Sequence, residues 1–94
     1  MNKLFVYGIF LDERNRQYYG MSNPSYDTVA DYATYGGEIV AAYHQPNAGL
    51  ALTGLVVNID PARWPELDRL EGGYTRREVT TLRGERVYMY EGKD

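Results

Sequence analysis

The chain has 94 residues, a formal net charge of −3 and no cysteine. That length fits one domain, residues 1–94, and the missing thiol excludes disulfides, thiolate metal sites and cysteine nucleophiles. Charges of both signs are interspersed with no Lys or Arg run to neutralise a phosphate backbone, which argues against a nucleic-acid partner.

Asn2 and Lys3 are followed by only a few apolar residues, neither a signal peptide nor a membrane span, so a soluble cytoplasmic protein with no membrane partner is expected. Leu4-Phe5-Val6-Tyr7 is apolar and β-favouring and runs straight into Gly8, which predicts a buried strand over 3–7 breaking into a loop. From Leu11 to Asp27 the chain is polar and punctuated by Gly20, Asn23 and Pro24, the pattern of a loop with one short helical turn. Thr28 to Tyr35 and Glu38 to His44 read as strands, with Gly36-Gly37 as the hairpin between them. After a turn at Gln45 to Gly49, Leu50 to Ile59 is the strongest strand signal. Its Leu55, Val56, Val57 and Ile59 are apolar on both sides of the pleat, so a central position is expected.

Asp60-Pro61 opens a helix. The Asp carboxylate can accept an orphan amide, and Pro at the first helical position sacrifices no hydrogen bond. Pro65 lacks an amide that a regular helix would use, so the first turn is expected to be 3₁₀, with α-helix from near Pro65. Trp64, Leu67 and Leu70 recur every third residue and are expected to face the core. Gly72 and Gly73 would supply the positive φ of a helix end. Tyr74 to Leu82 and Glu85 to Tyr90 alternate well enough for two strands joined near Arg83-Gly84.

Few residues carry chemistry. Glu71 sits on the last helical turn, where the macrodipole disfavours negative charge, which is unfavourable unless the carboxylate has a task; an ordinary exposed helix-end Glu is the plainer explanation. Asp68 reads as solvated surface. The Tyr7-Gly8-Ile9-Phe10 turn presents backbone amides that can cradle a carboxylate, although any strand can end at a glycine. His44 has no Ser, Cys or second His arranged with it and reads as a strand-end residue. Thr80-Thr81 lacks a base partner in the sequence, leaving nucleophilic catalysis little support. The ten tyrosines suit strands and ligand pockets, because each ring joins apolar area to a polar tip.

The two end signatures, Leu4 to Phe10 and Leu67-Asp68-Arg69-Leu70-Glu71-Gly72 followed by Tyr74-Thr75-Arg76, lie either side of Thr53-Gly54-Leu55-Val56-Val57-Asn58-Ile59-Asp60. In that order the chain resembles the γ-glutamylcyclotransferase-like superfamily, also called AIG2-like or butirosin-type. The late block is fairly specific, whereas Leu11 to Ala48 matches in outline. The resemblance implies an α+β fold, a small mixed and partly closed β-barrel with one main helix packed against it. It implies that Glu71 is the general acid/base, that Tyr7, Gly8, Ile9 and Phe10 bind the substrate's amino-acid head through their backbone, and that Tyr74 lines the same pocket. No metal or cofactor is implied. Ile9-Phe10 stands where the family usually has Ser/Thr-Leu, which removes a hydroxyl and adds bulk to the binding loop. The expected function is therefore a γ-glutamyl cyclotransferase acting on a small-molecule γ-glutamyl amide or amine and releasing 5-oxoproline. The retained Glu71 favours this; Ile9-Phe10 favours the alternative, a non-catalytic module that binds a small metabolite or a partner.

Overall fold

The structure is a computed structural model that describes residues 2–36 and 41–92. Its main body is a five-stranded sheet in the order β2-β5-β1-β7-β6. The strands are β1 (Lys3–Val6), β2 (Ser22–Ala30), β5 (Ala51–Asn58), β6 (Tyr74–Thr80) and β7 (Arg86–Gly92), and a separate hairpin pairs β3 (Tyr32–Tyr35) with β4 (Ala41–His44). Two helices, α1 (Glu13–Tyr18) and α2 (Trp64–Leu70), complete the mixed α+β fold. Gly37 of the expected hairpin glycines, and the first residues of the strand expected from Glu38, lie outside the described residues.

Strand β1 is the middle of the sheet, antiparallel to β5 through Lys3↔Asn58 and Val6↔Leu55 and parallel to β7 through Leu4↔Tyr88 and Phe5↔Met89. Its apolar run is continuous because both faces are covered. Leu4 and Val6 join Leu55, Val57, Leu67 and Tyr90 on the α2 side, while Phe5 joins Val56, Val87, Met89, Tyr32 and Ala42 beneath the β3–β4 hairpin. Strand β5 is paired on both sides, as its apolar run suggests, but lies one place off the centre. Its Gly54 is required by close approach, since a Cβ there would collide with the Val6 carbonyl and come within 2.8 Å of the Phe5 ring.

The sheet is open, which corrects the expectation of a partly closed barrel. Its edges, β2 and β6, form no ladder with each other. They approach at one end, where the Leu82 amide donates to the Thr28 carbonyl at 2.8 Å. There the buried Asp27 carboxylate accepts from the Thr28 amide at 2.8 Å. Burial pushes the Asp27 carboxyl up, but hydrogen bonds from Thr81, Thr28 and Arg83 outweigh that and hold it below its ordinary value. Farther along, the edges carry exposed residues, Ser22 to Tyr26 on β2 and Arg77 and Glu78 on β6, and charged or polar edges resist strand addition.

The polar stretch from Leu11 to Asp27 holds more order than a loop. The expected helical turn is α1, capped by the Asp12 carboxylate, which accepts from the Arg14 amide at 2.8 Å. Strand β2 then begins at Ser22 despite Pro24. An edge strand tolerates the missing amide, and the register shifts between Ser22 and Ser25, where Asn23 takes a φ of 51°. The α2 entry follows expectation: Asp60 accepts from the Ala62 amide at 3.0 Å, Pro61–Arg63 is 3₁₀, and α-helix follows with Pro65 in its first turn. Leu67 is fully buried but Leu70 is 48% exposed, against expectation. A spacing of three falls short of the ~3.6-residue turn, so Leu70 has rotated by about 120° from Trp64. Among the described residues no helix is long and apolar enough to cross a membrane.

Candidate functional site

On the α2 side of the sheet a cavity of about 290 Å³ opens between the end of β1, the turn after it and the end of α2. Tyr7, Ile9, Phe10, Leu70, Glu71, Tyr74 and Tyr90 line it above a floor that includes Leu4 and Val6. Five of the six residues singled out from the sequence therefore meet at one cavity; Gly8 is not among its lining residues.

Glu71 reaches the cavity because α2 ends on it. Its amide donates to the Leu67 carbonyl at 2.9 Å, and its own carbonyl accepts from the Tyr74 amide at 2.8 Å. That tight turn starts β6 at once and sets Glu71 and Tyr74 on the same wall. It is made without the positive φ expected of Gly72 and Gly73, which are absent from the left-handed region; the helix terminates on Glu71 itself, at φ −94° and ψ 37°. Burial pushes the Glu71 carboxyl above its ordinary 4.5, with no opposing charge among the described residues to offset the desolvation.

The opposite wall is the 3₁₀ turn Gly8–Leu11. Gly8 enters it at a φ of 65°, a conformation that favours glycine. The turn's carbonyls are taken up by α1: Asn15 Nδ2 donates to Ile9 at 2.8 Å, and Arg16 Nη1 donates to Phe10 and Leu11 at 2.9 and 2.7 Å. No side chain caps the other end, where the amides lie. Phe10 is only 6% exposed, sits in the core and meets Tyr19 edge-on at 5.6 Å, so its bulk goes into the core. Ile9, 56% exposed, is the side chain left at the cavity mouth.

Tyr7 lines the cavity with its ring while its hydroxyl is fully engaged, donating to the Tyr90 carbonyl at 2.6 Å and accepting from the Ala42 amide at 3.0 Å. Burial, partly offset by the Ala42 bond, pushes its phenol up to about 12. Burial also raises Tyr74, with the charges of Glu71 and Tyr43 adding to it. These phenols stay neutral near pH 7, and Glu71 is the one carboxyl among the described residues that line the cavity.

Tyr90 escapes sequence reasoning, although strand alternation in Val87-Tyr88-Met89-Tyr90 would have put Tyr88 and Tyr90 on the α2 face. Its hydroxyl donates to Asp68 Oδ1 at 2.6 Å. Asp68 is exposed, as expected of surface, but it is also tethered, since Arg76 lies 3.6 Å from its Oδ2. Thr81 does have a carboxylate neighbour, Asp27, but its oxygen also accepts from the Glu85 amide at 3.1 Å, which makes it a turn brace. His44 ends β4 beside Tyr32, as expected of a strand-end residue. Among the described residues no group of three or more His, Asp or Glu side chains gathers as a metal site.

The chain belongs to the γ-glutamyl cyclotransferase, AIG2-like family, whose sequence model matches residues 4–94. It is similar in fold to an uncharacterized protein of Pyrococcus horikoshii, with a TM-score of 0.81 at 19% identity over 100% of this chain and 80% of that one. A protein of Arabidopsis thaliana gives 0.80 at 19% identity over 99% and 69% of the two chains. A structure described as a gamma-glutamyl cyclotransferase gives 0.76 at 16% identity over 99% and 67%. No curated protein matches the sequence.

Proposed function

We propose that this protein is a γ-glutamyl cyclotransferase that releases 5-oxoproline from a small γ-glutamyl amide or amine, with Glu71 as its general acid/base. The observation that carries the reading is the meeting of Glu71, its carboxyl raised by burial alone, with the uncapped Gly8–Leu11 turn at one cavity. At about 290 Å³ the cavity is near the lower end of the ~300–1,000 Å³ typical of small-molecule sites, which suits a modified amino acid better than a long peptide.

The substrate carries its own nucleophile, so holding it in a folded conformation supplies much of the rate. The amides at the start of the Gly8–Leu11 turn receive the α-carboxylate, with the Tyr7 and Tyr74 rings enclosing the chain. Glu71 takes a proton from the α-ammonium, and the freed amine attacks the γ-carbonyl carbon. As the new carbon–nitrogen bond closes the ring, Glu71 returns the proton to the departing nitrogen and the old carbon–nitrogen bond breaks. The second proton, shed by the ring nitrogen as it becomes the lactam N–H, leaves with the released amine, so 5-oxoproline and the protonated amine result. Between reference values of about 8 for an α-amine and about 4.3 for Glu, the first transfer is uphill by roughly 5 kcal/mol. Desolvation of Glu71 narrows that gap, as expected of a general base working near neutrality.

The test is incubation of the protein with γ-glutamyl compounds differing in the departing amine, with 5-oxoproline and amine measured together. Equal release of both from at least one compound is expected. Binding without release from any of them would replace the enzyme with a metabolite-binding module.

A further inference from the structure

The motif residues Asp68 and Arg76 have no part in the proton transfers above, yet they join the wall that holds Glu71. Asp68 lies one turn before Glu71 on α2. Its half-exposed carboxylate meets the sheet through both oxygens: Oδ1 accepts from the Tyr90 hydroxyl at 2.6 Å, and Oδ2 forms a looser ion pair with Arg76 Nη2 at 3.6 Å. Arg76 is fixed in turn by aromatic faces, its guanidinium carbon 4.5 Å from the Trp64 ring centre and 4.7 Å from that of Tyr88. Its Nη1 is buried with no hydrogen-bond partner among the described residues. A buried donor left unsatisfied is a cost, and native structures keep few of them. A carboxylate in the last turn of a helix is likewise disfavoured by the macrodipole. The arrangement therefore sacrifices stability at two points to pin one end of one short helix.

The pinned element is the one that ends on Glu71, and the pinning group Tyr90 is itself a wall of the cavity. We infer that Asp68, through Tyr90 and Arg76, is a positioning residue that clamps the end of α2 to β6 and β7 and so keeps Glu71 over the cavity. This inference rests on the cyclotransferase reading for its catalytic consequence, but not for its geometry. Without the clamp the last turn of α2 is free to lift, water reaches Glu71 and the carboxyl moves from its working position. Among the described residues the titratable groups that face Glu71 are Tyr7 after β1, Tyr74 on β6 and Tyr90 on β7, all neutral near pH 7, so solvent access governs its titration.

Two readouts on wild type, Asp68→Ala, Asp68→Asn, Tyr90→Phe and the Asp68→Ala/Tyr90→Phe pair test this. One is kcat and KM for γ-glutamyl-p-nitroanilide; the other is the titration of Glu71 followed by carboxyl ¹³C NMR. Asp68→Ala should lower kcat by ~10-fold or more with KM within about threefold, since a small misplacement of a reacting group is costly. Asp68→Asn keeps an acceptor for the Tyr90 hydroxyl and should rescue most of the loss. The Glu71 midpoint should fall toward its ordinary value in Asp68→Ala and in Tyr90→Phe. The double variant should be no worse than the poorer single one, because both cut the same link. If Asp68→Ala does not fold, Tyr90→Phe, which loses one oxygen, carries the test by itself. Turnover in wild type with kcat and the Glu71 midpoint unchanged in the variants would overturn the clamp and leave the cyclotransferase reading intact. A moved midpoint in a protein with no turnover would do the reverse.

Discussion

Glu71 is held in a position that costs the fold something. It ends a helix, where negative charge is disfavoured, and it is desolvated without a compensating cation among the described residues. A carboxyl whose folded pKa is raised binds its proton more tightly folded than unfolded. The stabilisation is complete below the unfolded value of about 4.5 and is lost as pH rises through the higher folded value. Glu71→Gln removes that dependence. Chemical denaturation of the two proteins across pH should give similar stabilities below pH 4.5, with the Gln variant gaining on wild type as pH rises toward neutrality. A wild type that gained on the variant with rising pH would mean that Glu71 has a favourable partner when ionised.

At the scale of elements, α2 divides its labour between two leucines that look equivalent in the sequence. Leu67 is fully buried against Val57 and Ile59 in the sheet's core cluster, whereas Leu70 is exposed at the cavity. Leu67→Ala should destabilise the protein by about 2–5 kcal/mol, as buried Leu truncations do. Leu70→Ala should cost far less in thermal or denaturant unfolding and should instead alter KM for whatever the cavity binds. Comparable stability losses would put Leu70 in the core after all. The helix itself was legible, because Asp60, Pro61 and Pro65 act locally on the backbone. Its C-terminal face was not, because a spacing of three drifts around a helix and only the partner sheet decides which side is buried. The first part of β2 escaped for a related reason: Pro24 and Asn23 read as turn residues, and only an edge position with an irregular register accommodates them. Thr28 to Ala30 lay in the strand expected over 28–35, which Asp31 at a φ of 66° divides into β2 and β3.

Over the whole molecule, the site is made by bringing the first strand against the last, β7, which carries β6 on its other side. The family motifs pointed to Glu71 and the Tyr7–Phe10 turn, and the parallel pairing of β1 with β7 brings the two ends of the chain to one cavity. Strand alternation could have put Tyr90 on the α2 face, but its place at the cavity and its tether to Asp68 were not legible, since they depend on long-range pairing. The barrel expected from the resemblance is an open sheet instead, with its second face covered by the β3–β4 hairpin through Tyr32 and Ala42. The central claim is that one carboxylate at this cavity moves the proton that lets a γ-glutamyl amine cyclise. The most direct measurement is kcat for 5-oxoproline release by wild type and by Glu71→Gln under identical conditions. Glutamine keeps the shape and a hydrogen-bonding oxygen but cannot accept the α-ammonium proton, so kcat should fall by about 10²-fold or more while the protein stays folded. Full activity in a folded Glu71→Gln variant would contradict the account.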